Sequence, residues 1–73
     1  MRSPRPENRP LAVKIRELRL RDDYTQVQLA DLLGISRSHY ANLEAGRSEL
    51  RYRHLQKLAA LYRLTVDHLL EAP

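Results

Sequence analysis

The 73-residue sequence predicts a small all-α domain of five short helices. Three observations predict it. Apolar residues recur at three- and four-residue steps along most of the chain, and no stretch alternates apolar and polar as a strand does. The hydroxyl residues Thr25, Ser36 and Thr65 each stand immediately before a periodic segment, where helix N-caps belong. Gly34 and Gly46 stand where two of those segments stop, supplying the left-handed backbone that ends a helix.

The first helix opens at Pro10, whose missing N–H costs nothing at a helix start. Leu11, Ile15 and Leu18, with Ala12, form its apolar stripe, and it is expected to end near residues 21–23. The second helix, Gln26–Leu33, follows Thr25. With Gln28, Thr25 makes the Thr-x-x-Gln pattern of a capping box. Leu29, Ala30 and Leu33 share one face, and the small Ala30 lets another helix cross close by.

After Gly34 and an apolar Ile35, the third helix covers residues 37–45, with Tyr40 and Leu43 turned inward. The fourth shows Tyr52, Leu55, Leu58, Ala59 and Tyr62 on one stripe, starting either after Ser48 or near Arg51. A short last helix, residues 66–71, follows Thr65 with Asp67 near its positive end.

This length suits one domain with a small core, expected to be marginally stable or to dimerise. Cysteine is absent, so neither disulfides nor thiolate metal sites add stability; the pattern suits a reducing cytoplasm. No apolar run approaches ~20 residues, and the basic N-terminus has no apolar signal core, so no membrane association is expected. No paired carboxylates, nucleophile–base arrangement or glycine-rich phosphate loop points to an enzyme or a cofactor. His39, His54 and His68 are too irregularly spaced for a metal site; His54 and His68 read as surface or interface residues.

Net charge is +4, unevenly spread. Residues 1–10, 11–22 and 36–54 carry +2 each, residues 23–35 carry −2, and residues 55–73 are neutral. Residues 1–9, rich in Pro and Arg, read as a flexible basic arm before a domain at residues 10–71. A basic N-terminal half and a balanced C-terminal end suit a phosphate-facing surface with an association surface behind it, although solvated arginines would look the same.

A helix, a tight glycine-containing turn and a second helix, at residues 25–46, form a helix-turn-helix signature. The apolar and small positions Leu29, Ala30, Leu33, Gly34, Ile35, Tyr40 and Leu43, counted from Gln26, fill every place of one such pattern. On these residues the chain resembles the phage-repressor (Cro/repressor, xenobiotic-response-element) helix-turn-helix proteins, with a lambda-repressor-like five-helix fold. Tyr40 is larger than the usual aliphatic residue. Glu49-Leu50-Arg51 replaces the Asn-Pro-Ser type of cap common before the fourth helix, which leaves Leu50 as the candidate for a core place usually held by proline.

The resemblance implies that the third helix enters the major groove of double-stranded DNA. It carries base reading onto Arg37, Ser38 and Asn42, with Ser36, His39 and Ala41 as secondary candidates. The chemistry agrees, since Arg can grip guanine O6 and N7, and Asn adenine N6 and N7. Gln26, at a helix N-terminus, is a phosphate candidate, with Arg16, Arg19, Arg21 and Arg47. The resemblance also implies an Arg19–Glu44 ion pair.

One reading head covers few base pairs, so a homodimer on a (pseudo)palindromic operator is expected, with Val66, Leu69 and Leu70 at its interface. The expected function is transcriptional regulation in the cytoplasm, at the nucleoid. The run Ile35-Ser36-Arg37-Ser38-His39-Tyr40 looks most like the restriction–modification controller kind. The competing reading is an antitoxin or adaptor whose helix-turn-helix serves a partner protein.

Overall fold

A computed structural model describes residues 9–71 as five α-helices, with no strand among them. They are α1 (Arg9–Arg21), α2 (Gln26–Leu33), α3 (Arg37–Glu44), α4 (Tyr52–Tyr62) and α5 (Val66–Leu70). The helix α1 therefore begins one residue before the expected start at Pro10. Apart from Arg9, the expected basic arm lies outside the described residues.

One joint is used repeatedly to turn the chain. At the end of α2, Gly34 is left-handed (φ 71°), its N–H meets the Asp31 carbonyl, and the Ile35 N–H reaches back to Ala30 at 3.0 Å. This is the Schellman arrangement, which satisfies carbonyls a helix end leaves open. It recurs around Asp23 at the end of α1, with Tyr24 N–H on the Arg19 carbonyl at 3.0 Å. It recurs again around Gly46 after α3 and Arg63 after α4.

After Asp23, Gly34 and Arg63, the next residue (Tyr24, Ile35, Leu64) packs against the core, and the one after it (Thr25, Ser36, Thr65) caps the following helix. Two of these left-handed positions, Asp23 and Arg63, are not glycine, so the sequence shows the left-handed turn at Gly34 and Gly46 but not at these two, although the end of α1 near residues 21–23 is as expected. The α3–α4 joint breaks the pattern: residues 47–51 form a longer loop, and Arg51 offers α4 no side-chain cap.

The helix α2 packs on α3 and α4, α1 on α3 and α5, and α4 on α5. Every helix contributes to one core, from Ile15 through Leu29, Leu43 and Leu58 to Leu69. Burying each such side chain contributes roughly 1.5–3 kcal/mol. Leu50 packs against this core, as its place in the loop suggested. Tyr24 does too, its ring meeting Tyr62 edge-on at 6.3 Å. The Lys14 amine ties α1 to the end of α5, donating to the carbonyls of His68 (3.1 Å) and Glu71 (3.0 Å).

Three expectations are corrected. Tyr52 is exposed at 63 %, because it is the first residue of α4 and stands clear of the core. His54, four residues before Leu58, takes the inward place instead and is buried. Leu69 is fully buried, since α5 turns it onto α1 and α4; it closes the monomer core and has no surface to give a partner.

Candidate nucleic-acid interface

The outer face of α3 is set by what its inner face buries. Tyr40, Leu43 and Glu44 point inward, which leaves Arg37 and Ser38 exposed and Ala41 and Asn42 half-buried on the other side. Four-residue steps stack Arg37 over Ala41 and Ser38 over Asn42. The small Ser38 and Ala41 let a partner surface come close to the helix backbone. Ser36 caps the helix, its Oγ accepting from the His39 N–H at 3.0 Å. One lone pair of that hydroxyl is thereby taken, and its O–H stays available as a donor. His39 is half-buried, standing over His54 rather than on the open face.

Beneath this face sits a buried carboxylate. Glu44 accepts from Arg19 Nε at 2.6 Å and Nη2 at 3.1 Å, and from the Gln26 side-chain amide at 3.2 Å. Arg19 Nη1 donates to the Tyr24 carbonyl at 3.0 Å. One side chain on α3 thus gathers α1 and the start of α2. Burial alone would raise the Glu44 carboxyl, but the bonds from Arg19 and Gln26 and the neighbouring Tyr40 hydroxyl outweigh it, holding the group below its ordinary value. Burial first, and then that carboxylate, keep Tyr40 protonated far above the ordinary tyrosine range, although its hydroxyl meets no partner in full hydrogen-bond geometry.

Arg19 is turned to the fold: each of its three guanidinium nitrogens makes a hydrogen bond, and its side chain is only 11 % exposed. The ion pair with Glu44 that the resemblance implies is present. Gln26 keeps a second amide N–H and stands at the N-terminus of α2, half-buried. Arg21 is paired with its neighbour Asp22 at 2.9 Å, which offsets its charge. Arg16 and Arg47 are exposed, and the Schellman turn at Gly46 sets Arg47 just past the end of α3.

At the far end of the chain, Leu70 is 51 % exposed and Val66 is half-buried against the core. Among the described residues no group of three His, Cys, Asp or Glu could hold a metal ion, and no helix is long and apolar enough to cross a membrane.

Two short capped helices, α2 and α3, packed on one another with a polar face of α3 turned outward, define a helix-turn-helix domain. The helix-turn-helix family matches residues 15–69, and the chain belongs to that family. Its members are DNA-binding regulators rather than enzymes.

Over 58 residues the chain is 33 % identical to an SPbeta prophage-derived, uncharacterized HTH-type transcriptional regulator (YonR) of Bacillus subtilis; it spans 54 % of that protein's length, and the match takes in 80 % of this chain. Among solved structures, the restriction-modification controller protein C.AhdI from Aeromonas hydrophila superposes with a TM-score of 0.78 at 26 % identity, covering 89 % of this chain and 98 % of that one. A hypothetical transcription factor, NHTF, from Neisseria gives 0.78 at 26 % identity, over 92 % and 76 % of the two chains. The clp gene regulator ClgR of C. glutamicum, at 23 % identity and a TM-score of 0.77 over 90 % and 86 %, shares the fold.

Proposed function

We propose that the chain is a sequence-specific regulator of transcription that binds a (pseudo)palindromic operator in double-stranded DNA as a homodimer. The observation that carries this is the outward face of α3, where Arg37, Ser38 and Asn42 stand together on a helix braced from beneath by Glu44 and Arg19. In this reading Arg37 and Asn42 take base edges in the major groove, while Ser38 and the Ser36 hydroxyl make shorter-range contacts. Gln26, Arg16 and Arg47 take phosphates on either side.

The two-fold contact falls on Leu70, with Val66 at its rim. Likeness to a controller protein of restriction–modification supports a narrower form of the reading, a small regulator of that kind working at the nucleoid.

Selection of bound duplexes from a random pool tests the proposal. A palindrome with half-sites about 34–36 Å apart is expected. A single asymmetric site would overturn the dimer, and failure to enrich any sequence would overturn DNA recognition.

A further inference from the structure

His54 is the least compatible residue in the core with its own chemistry. Its ring is 2 % exposed, and neither Nδ1 nor Nε2 has a hydrogen-bond partner. A neutral imidazole tolerates this at a cost; an imidazolium, with two N–H donors and a full charge, does not.

The charged groups closest to that ring are cations, with the Glu49 carboxylate out in the exposed loop. From α3 comes His39, edge-on with ring centroids 6.4 Å apart. From the loop and α4 come Arg51, Arg53 and Lys57, all cations. The carboxylates on the other helices packed against α4 are exposed ones, Asp31 on α2 and Asp67 on α5, and His68 of α5 is exposed as well. Burial first, and then these neighbouring cations, lower the proton affinity of His54 beneath the ordinary histidine value of 6.5.

We propose that His54 is an acid-sensitive latch between the reading helix and α4, whose protonation expels the ring from the core and loosens α3 together with the 47–51 loop. The direction follows from the shift. A histidine that binds its proton less readily when folded leaves stability intact above about 6.5, and stability falls as the pH drops beneath that value. The weak side of the latch is the groove beside His39, lined by Ser48, Glu49, Leu50 and Arg51. It lies along the joint where the turn at Gly46 opens into a longer loop and α4 has no side-chain cap, and Glu49 gives it a carboxylate beside which an emerging imidazolium could lodge.

The latch is tested without DNA. Two-dimensional NMR of the full chain between about pH 7.5 and 5 reads the His54 ring together with the backbone amides, in a window above carboxylate titration. The ring should titrate below the ordinary histidine value. Amides of residues 37–44 and 47–54 should move with it, and their exchange protection should fall about tenfold relative to α2. His54→Leu, with His54→Phe as a second variant should Leu not fold, should remove this response, while His39→Gln retains it. A His54 ring titrating normally with those amides still, or an unchanged response in the His54 variants, would overturn the latch. If neither variant folds, the wild-type titration decides.

For the regulator proposed above, and resting on that reading, the same acid step should weaken binding to the selected duplex in the wild type but not in His54→Leu. Absence of binding at about pH 7.5 would count against that reading and leave the latch standing.

Discussion

Arg19 and Glu44, 25 residues apart in sequence, meet in a two-pronged ion pair with Nε–Oε2 at 2.6 Å, and through it α1 holds the end of α3. The Glu44 side chain is 4 % exposed, so water competes little for the pair. Because Gln26 joins the same carboxylate from the start of α2, the orientation of α3 depends on a buried group.

Removing one partner of such a pair leaves the other charge buried and unmatched. Glu44→Gln keeps the volume but leaves the Arg19 guanidinium without a counter-charge. It should cost about 3 kcal/mol. Urea unfolding monitored by circular dichroism measures this, and a loss within error of zero would show that the pair contributes no net stability.

The same carboxylate predicts an acid limb. Its folded proton affinity is lower than the ordinary value of 4.5, so the unfolded chain takes up the proton first. The contribution is complete above about 4.5 and is lost as the pH falls through the lower, folded value. Urea midpoints should therefore drop more steeply in the wild type than in Glu44→Gln below that pH. Parallel profiles would place the acid sensitivity elsewhere.

Arg37 and Gln26 should fail in different ways. Arg37→Ala should relax preference at one base pair per half-site, by ~1–3 kcal/mol, with other positions unchanged. Gln26→Ala should weaken all duplexes alike, as loss of a phosphate contact does. Competition binding against single-base operator variants separates the two. Uniform weakening by Arg37→Ala would remove it from the readers.

The neighbours Leu69 and Leu70 should also diverge. Leu70→Asp alters a half-exposed residue and should give a folded monomer, whereas Leu69→Asp places a charge at a fully buried site and should unfold the chain. Sedimentation together with circular dichroism distinguishes them. A folded Leu70→Asp dimer would move the two-fold contact off α5.

Gly34 isolates backbone strain from crowding. Beyond its chain neighbours, a Cβ there would meet nothing within 4 Å, yet φ is 71°. Gly34→Ala should therefore cost about 1–2 kcal/mol through the left-handed backbone alone. Thermal unfolding provides the value, and a neutral result would mean that the turn relaxes to another geometry.

Much of this molecule is legible from local chemistry. Thr25, Ser36 and Thr65 cap helices as hydroxyl residues before apolar runs should, and Leu29, Ala30, Leu33, Tyr40 and Leu43 lie inward at helical spacing. Asp23 and Arg63 were not legible, because a left-handed residue other than glycine carries no sign of itself. The signal that would find them is their context: an apolar residue and then a hydroxyl cap follow each, as they follow Gly34.

The outward set at the candidate interface, Arg37, Ser38 and Asn42, follows from helical period once Tyr40 and Leu43 are taken as buried. Period alone does not say which polar residue faces a partner and which faces the fold. Arg16, Arg19 and Arg21 look alike by period on one helix; the resemblance singles out Arg19 for Glu44, and packing separates the other two, with Arg21 turned to Asp22 and Arg16 left exposed.

Sequence alone determined the five helices, the caps at Thr25, Ser36 and Thr65 and the helix-turn-helix, because these depend on residues within a few places of one another. Tertiary structure decided that His54 goes inward while Tyr52 goes out, and that Leu69 closes the core while Leu70 remains outside. Each of those depends on which helix crosses at that point, and a crossing is set by the whole core rather than by neighbours along the chain.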